Sequence, residues 1–162
     1  MARFALATTI ISATTLVLVG CNGGTQMGTT DTTKPPKDAV TGIVDDSATA
    51  VGGSWEVYSG PAVEACDRDS GGSGAAYAYT KTRGQTEGDP AKDVATVEEL
   101  WKKRGISTER YESGGADPTL GVRGVGGPTG SIDFLADVRG YSIDAVSVCG
   151  DGDAADIQRD GG

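Results

Sequence analysis

Residues 131–149 read SIDFLADVRGYSIDAVSVC, and this stretch decides the fold. From Ser131 to Val138, Ile132, Phe134, Ala136 and Val138 fall on one side, and Asp133, Leu135 and Asp137 on the other. From Tyr141 to Cys149 the pattern repeats, with Tyr141, Ile143, Ala145, Ser147 and Cys149 sharing a face. A period of two marks strands with one face buried. Arg139-Gly140 reads as the turn between them. That turn sets Val138 opposite Tyr141, Ala136 opposite Ile143, Phe134 opposite Ala145 and Ile132 opposite Ser147. Large opposes small along most of this ladder, so the inner face stays level for a helix to lie on. A bulge with Gly140 in the left-handed region would slip the register by one.

The helix that lies there is 89–104. Asp89 is a good N-cap and Pro90 a good first helical residue. Ala91, Val94, Val97, Leu100 and Trp101 recur at three- and four-residue spacing and draw one apolar stripe. Lys102, Lys103 and Arg104 suit the negative end of the helix dipole, and Gly105 stops the helix. Glu98 and Glu99 precede Lys102 and Lys103 by four residues, which predicts two ion pairs on the solvent side.

Further strands are expected at Ala75–Thr82, Ile106–Glu112 and Leu120–Val125. In the first, Tyr77, Tyr79 and Lys81 share a side against Ala76, Ala78 and Thr80. Trp55, Val57 and Tyr58 suggest an extended or turn segment, and Pro61 a short helical turn through Glu64 and Cys66. The expected architecture is α+β: an antiparallel sheet of four to five strands packed on one main helix, with one disulfide.

That disulfide follows from counting. The chain has three cysteines and no histidine. Cys21 ends the run Leu18-Val19-Gly20-Cys21, which follows an apolar stretch from Phe4 and a basic Arg3. This is the pattern of an export signal ending in a lipobox, cut before Cys21, whose thiol then carries acyl chains. The apolar run is short and rich in threonine, which argues against a membrane-spanning helix. Cys66 and Cys149 remain, in a compartment that permits disulfides. Their bond would close nearly the whole domain, a span for which the chain-entropy model gives ~4–5 kcal/mol.

The expected organisation is thus a signal peptide at 1–20, a lipid anchor and flexible tether at 21–54, the domain at 55–150 and an acidic disordered tail at 151–162. The tether segment is rich in glycine and threonine, carries Pro35-Pro36 and shows no hydrophobic periodicity. The short piece Gly42-Ile43-Val44 is its one candidate for order. The expected location is the extracytoplasmic face of the cell membrane, with the bilayer as the partner of Cys21.

Composition excludes some functions. With 23 acidic against 14 basic residues the net charge is −9. Such a chain repels nucleic acid, whose affinity for proteins comes mainly from Lys and Arg on phosphate. Asp67-Arg68-Asp69 and Asp151-Gly152-Asp153 resemble pieces of a calcium loop but lack its glycine and terminal glutamate. The glycine-dense stretch 121–130 precedes a strand and lacks the lysine of a phosphate loop, so it reads as a hairpin turn. Serine nucleophiles lack a histidine base. No cofactor or metal motif is present.

Two features remain as candidate chemistry. Asp133, Asp137 and Asp144 lie on the outer face of the last hairpin, with Asp133 and Asp144 as diagonal neighbours. Paired carboxylates can act as acid and base, but an exposed sheet face more commonly keeps them solvated. Tyr77 and Tyr79 are candidates to line a groove for glycan or peptide, although a chain with two Trp, two Phe and five Tyr needs most of its rings for the core.

From residue 55 to about 150 the chain resembles the LppA-type lipoproteins of actinobacteria. The matching pieces are Trp55-Glu56-Val57, Lys103-Arg104-Gly105-Ile106-Ser107-Thr108, Val122-Arg123-Gly124-Val125-Gly126-Gly127, and Gly140-Tyr141-Ser142-Ile143 through Val148-Cys149-Gly150. The resemblance implies a lipid-anchored envelope domain of undefined activity. The expectation is a non-catalytic binding module for an envelope protein or glycan. The alternatives are a structural envelope component or, further off, a small carboxylate-based enzyme.

Overall fold

The computed structural model describes residues 37–84 and 88–161. The leader, Cys21 and the first part of the tether lie outside the described residues. Three helices, α1 (Lys37–Val51), α2 (Pro90–Lys103) and α3 (Ala154–Arg159), accompany six strands: β1 (Glu56–Asp67), β2 (Ser73–Arg83), β3 (Ser107–Ser113), β4 (Thr119–Gly126), β5 (Thr129–Asp137) and β6 (Gly140–Ser147). The strands form one antiparallel sheet in the order β1-β2-β6-β5-β4-β3. The fold is α+β, with six strands in place of four or five and two long helices in place of one.

The second helix corrects the tether. Val40, Ile43, Val44, Ser47 and Ala48 are buried on one side of α1. Their spacing is helical, but the side chains are small or β-branched and are interleaved with Thr41, Gly42 and Thr49. Such a segment is a poor helix alone and is held by what it covers. What it covers is Trp101, fully buried on α2. The Trp101 indole Nε1 donates to Ser47 Oγ at 2.9 Å, and Ser47 Oγ donates to the Ile43 carbonyl at 2.7 Å. Lys81 pairs with Asp45 at 2.8 Å and Arg104 pairs with Asp46, tying α1 to β2 and to the end of α2.

α2 forms as its sequence directs. Asp89 caps the Ala91 and Lys92 amides, and Val94, Val97 and Trp101 are buried. At the other end Ile106 N–H donates to the Trp101 carbonyl and Gly105 N–H to that of Lys102, with Gly105 at φ 77°. This is a Schellman close. Glu98 does pair with Lys102, but not on the solvent side. It also takes Arg110 at 2.6 Å and the Thr108 hydroxyl at 3.2 Å, so it pins α2 to edge strand β3. Lys102 first, then Arg110, hold its carboxyl below the usual range.

Pro61 lies within β1, where register shifts flank Ser59. An edge strand tolerates a proline that cannot donate to a ladder, so no helical turn forms there. The hairpin turn falls on Val138-Arg139. Asp137 opposes Gly140, Ala136 opposes Tyr141, Phe134 opposes Ile143 and Ile132 opposes Ala145. The cause is Asp137, whose carboxylate accepts from the Arg139 amide at 2.6 Å, from the Arg139 guanidinium at 2.6 Å and from the Thr119 hydroxyl at 2.7 Å. The pairing is two residues away from the expected one, so every paired side chain keeps its face. Val138 instead enters the turn and is 59% exposed.

Residues 151–161 are ordered, which corrects the tail. Asp153 caps α3, Ile157 and Ala154 pack on the core, and Gln158 Nε2 donates to the Val63 carbonyl at 2.7 Å. Cys66 and Cys149 are bonded, with Cα atoms 6.0 Å apart. No helix among the described residues is long and apolar enough to cross a membrane.

Candidate functional site

The helices cover one face of the sheet and leave the other open. Strand alternation sends Thr80, Asp144, Asp133, Arg123 and Glu109 to the open face. The register makes these five direct neighbours: Thr80 opposes Asp144, Asp144 opposes Asp133, Asp133 opposes Arg123 and Arg123 opposes Glu109. One straight row of polar side chains therefore crosses five strands.

The row has a fixed internal pairing. Arg123 gives both Nε (3.1 Å) and Nη2 (3.0 Å) to Glu109 Oε2. Its guanidinium also lies 5.4 Å from the centre of the Tyr111 ring. Tyr111 reaches from β3 across β4 and donates its hydroxyl to Asp133 Oδ1 at 2.6 Å. The ring can cross because Gly121 lies beneath it: a Cβ there would stand 2.5 Å from the ring. From the other side Thr80 Oγ1 donates to Asp144 Oδ1 at 2.8 Å.

A cleft of about 510 Å³ opens over this row. Ala78, Val125 and Val146 supply much of its apolar lining, and Asp144, Asp133, Arg123 and Glu109 supply its charge. Burial raises the Asp133 carboxyl above its usual range, and Asp144 opposite pushes the same way, against the Tyr111 hydrogen bond and Arg123. Burial first, and the adjacent Asp133 next, push the Tyr111 hydroxyl up, so it stays protonated and donates.

Asp133 and Asp144 come together, but directly opposed and not diagonal. Asp137 does not join them, being bound into the hairpin turn. Tyr77 and Tyr79 are corrected as groove residues. Both point to the helix side, are 6% exposed and belong to the core, with Lys37 over the Tyr77 ring at 5.4 Å. Trp55 and Tyr141 are core-side rings too. They bracket Arg83, whose guanidinium lies 5.6 Å and 4.2 Å from their centres, while Tyr141 donates to Asp93 at 2.8 Å. An Arg68–Asp151 ion pair links the two calcium-like fragments. No group of three or more metal-ligating side chains occurs among the described residues. Cys21 lies outside them.

Sequence reasoning missed Thr80, Glu109, Tyr111 and Arg123. The signal was the phase of their strands: Glu109 and Tyr111 alternate together, as do Gly121 and Arg123. Only the strand order shows that they converge on Asp133.

No protein-family model and no curated protein matches the chain. Among solved structures it is similar to the crystal structure of a DUF4853 family protein from Actinomyces odontolyticus ATCC 17982 at 2.65 Å resolution. The TM-score is 0.54 at 16% identity, over 75% of this chain and 67% of that one. The fold is thus shared with an actinobacterial protein, and at this identity the likeness is one of fold alone.

Proposed function

We propose that this chain is a lipid-anchored envelope protein whose domain binds a partner in the open-face cleft without covalent chemistry. The carrying observation is the cleft itself, where a mostly apolar lining surrounds a few convergent, mutually oriented polar groups. The lipobox Leu18-Val19-Gly20-Cys21 supports the anchor, and the likeness to LppA-type lipoproteins agrees with it. The Cys66–Cys149 bond supports an oxidising compartment, since such bonds seldom persist in the cytosol.

Two experiments test the two halves. Mass spectrometry of the chain from a bacterial host finds Cys21 diacylated at the new N-terminus, and Cys21→Ala releases the protein from membranes. An unmodified residue 21 ends the anchor. A photo-crosslinking residue placed at Val125, in the cleft, gives a discrete adduct in intact cells, and one at exposed Val57 does not. Equal yields from both positions end the role of the cleft.

A second reading rests on Asp133 and Asp144 facing each other, an arrangement that can split carboxyl pKa values and supply an acid and a base. It requires one carboxyl to hold its proton near the working pH. A carbon-detected titration in which both side chains are ionised by about pH 5 removes it.

A further inference from the structure

The middle of the polar row carries an unbalanced charge. Arg123 is committed to Glu109 at one end of the row. Next to it Asp133 and Asp144 stand directly opposite each other, and like charges in that relation destabilise a sheet. Each carboxylate has one oxygen engaged, by Tyr111 from one side and by Thr80 from the other. Among the described residues the second oxygen of each accepts no hydrogen bond. Two unengaged acceptors therefore flank the centre of a cleft whose remaining lining is largely apolar.

Resting on the reading of this cleft as the binding site, we propose that it receives a basic side chain of a polypeptide partner, arginine above lysine, with the charged head between Asp133 and Asp144. A guanidinium offers parallel N–H groups to two carboxylates, where an ammonium is a point charge. The methylene stem of either residue matches the apolar lining from Ala78, Val125 and Val146. An anion meets two carboxylates and is repelled. The net charge of −9 attracts a basic partner from a distance and disfavours an acidic one.

The test uses the full chain in neutral detergent, followed by NMR of the aspartate carboxyl carbons and backbone amides. N-acetyl-argininamide is the probe, N-acetyl-citrullinamide its uncharged twin, and putrescine a free diamine. The expected result is saturable shifts at Asp133, Asp144 and Thr80 with the arginine probe, weaker by about tenfold or more with citrulline. Asp144→Asn and, separately, Asp133→Asn weaken the arginine probe by about tenfold, and Glu99→Gln on the exposed side of α2 does not. Equal shifts from the citrulline probe overturn the cationic ligand but leave the cleft a binding site. Putrescine binding as tightly as the arginine probe overturns the polypeptide source. No shift at any cleft residue with any probe overturns the proposal, while the cellular crosslink from Val125 still decides the broader reading.

Discussion

The two faces of this sheet are built from the same strands and obey opposite rules. On the helix side Val122, Phe134, Ala136 and Ile143 are fully buried, and Trp101 and Tyr141 pair their polar atoms with Ser47 and Asp93. On the open side the same strands set Asp133 against Asp144 without a cation between them. Like charges directly opposite each other cost the sheet stability. The buried core and the open polar row are divided between the faces, one residue out of step along each strand.

Substitutions can break this division or sharpen it. The largest effect is expected from Trp101→Ala, which empties the contact between the two long helices and lowers stability by about 3–5 kcal/mol in denaturant unfolding. Cys66→Ser comes next, at about 2–5 kcal/mol, and reductant lowers the wild-type melting point to that of the variant. Ser47→Ala leaves the buried Trp101 N–H without its acceptor and costs about 1–3 kcal/mol. A loss this size from a side chain in the segment expected to be a tether establishes α1 as part of the core.

The open face is expected to respond with the opposite sign. Asp133 holds its proton more tightly in the folded chain than in the unfolded one. Its ionised form therefore detracts from stability once the pH exceeds the folded value, and the deficit vanishes below the ordinary carboxylate value. Asp133→Asn then stabilises at neutral pH by less than about 1 kcal/mol, and the gain disappears in acid. Asp137 gives the mirror image. Arg139 and Thr119 hold its carboxyl well below the usual range, so its contribution is present above that range and fades as pH falls through it. Asp137→Asn destabilises at neutral pH and converges with wild type in acid. Melting curves of both variants from neutral to acid pH check the two slopes, and slopes of the same sign refute the contrast between the two carboxylates.

Much of the covered face was legible in the sequence. The alternation in Ser131–Val138 and Tyr141–Cys149 and the apolar stripe of α2 depend on local periods that packing reinforces. α1 was not legible, because Val40, Ile43, Val44, Ser47 and Ala48 gain their meaning from a tryptophan more than fifty positions later. The open face was half legible. Asp133 and Asp144 showed as outward carboxylates, and hairpin β4–β5 places Arg123 beside Asp133. The contact of Thr80 with Asp144 spans 64 positions and depends on β2 lying against β6, which no turn residue encodes.

The link between Cys66 and Cys149 has a further effect, given their separation of 83 positions. The connections between β2 and β6 all fall inside that interval. A protease cutting any one of them leaves the two pieces joined, so a nicked molecule keeps its mass on a non-reducing gel and separates only when the thiols are freed. One cut backbone bond then need not shed either half.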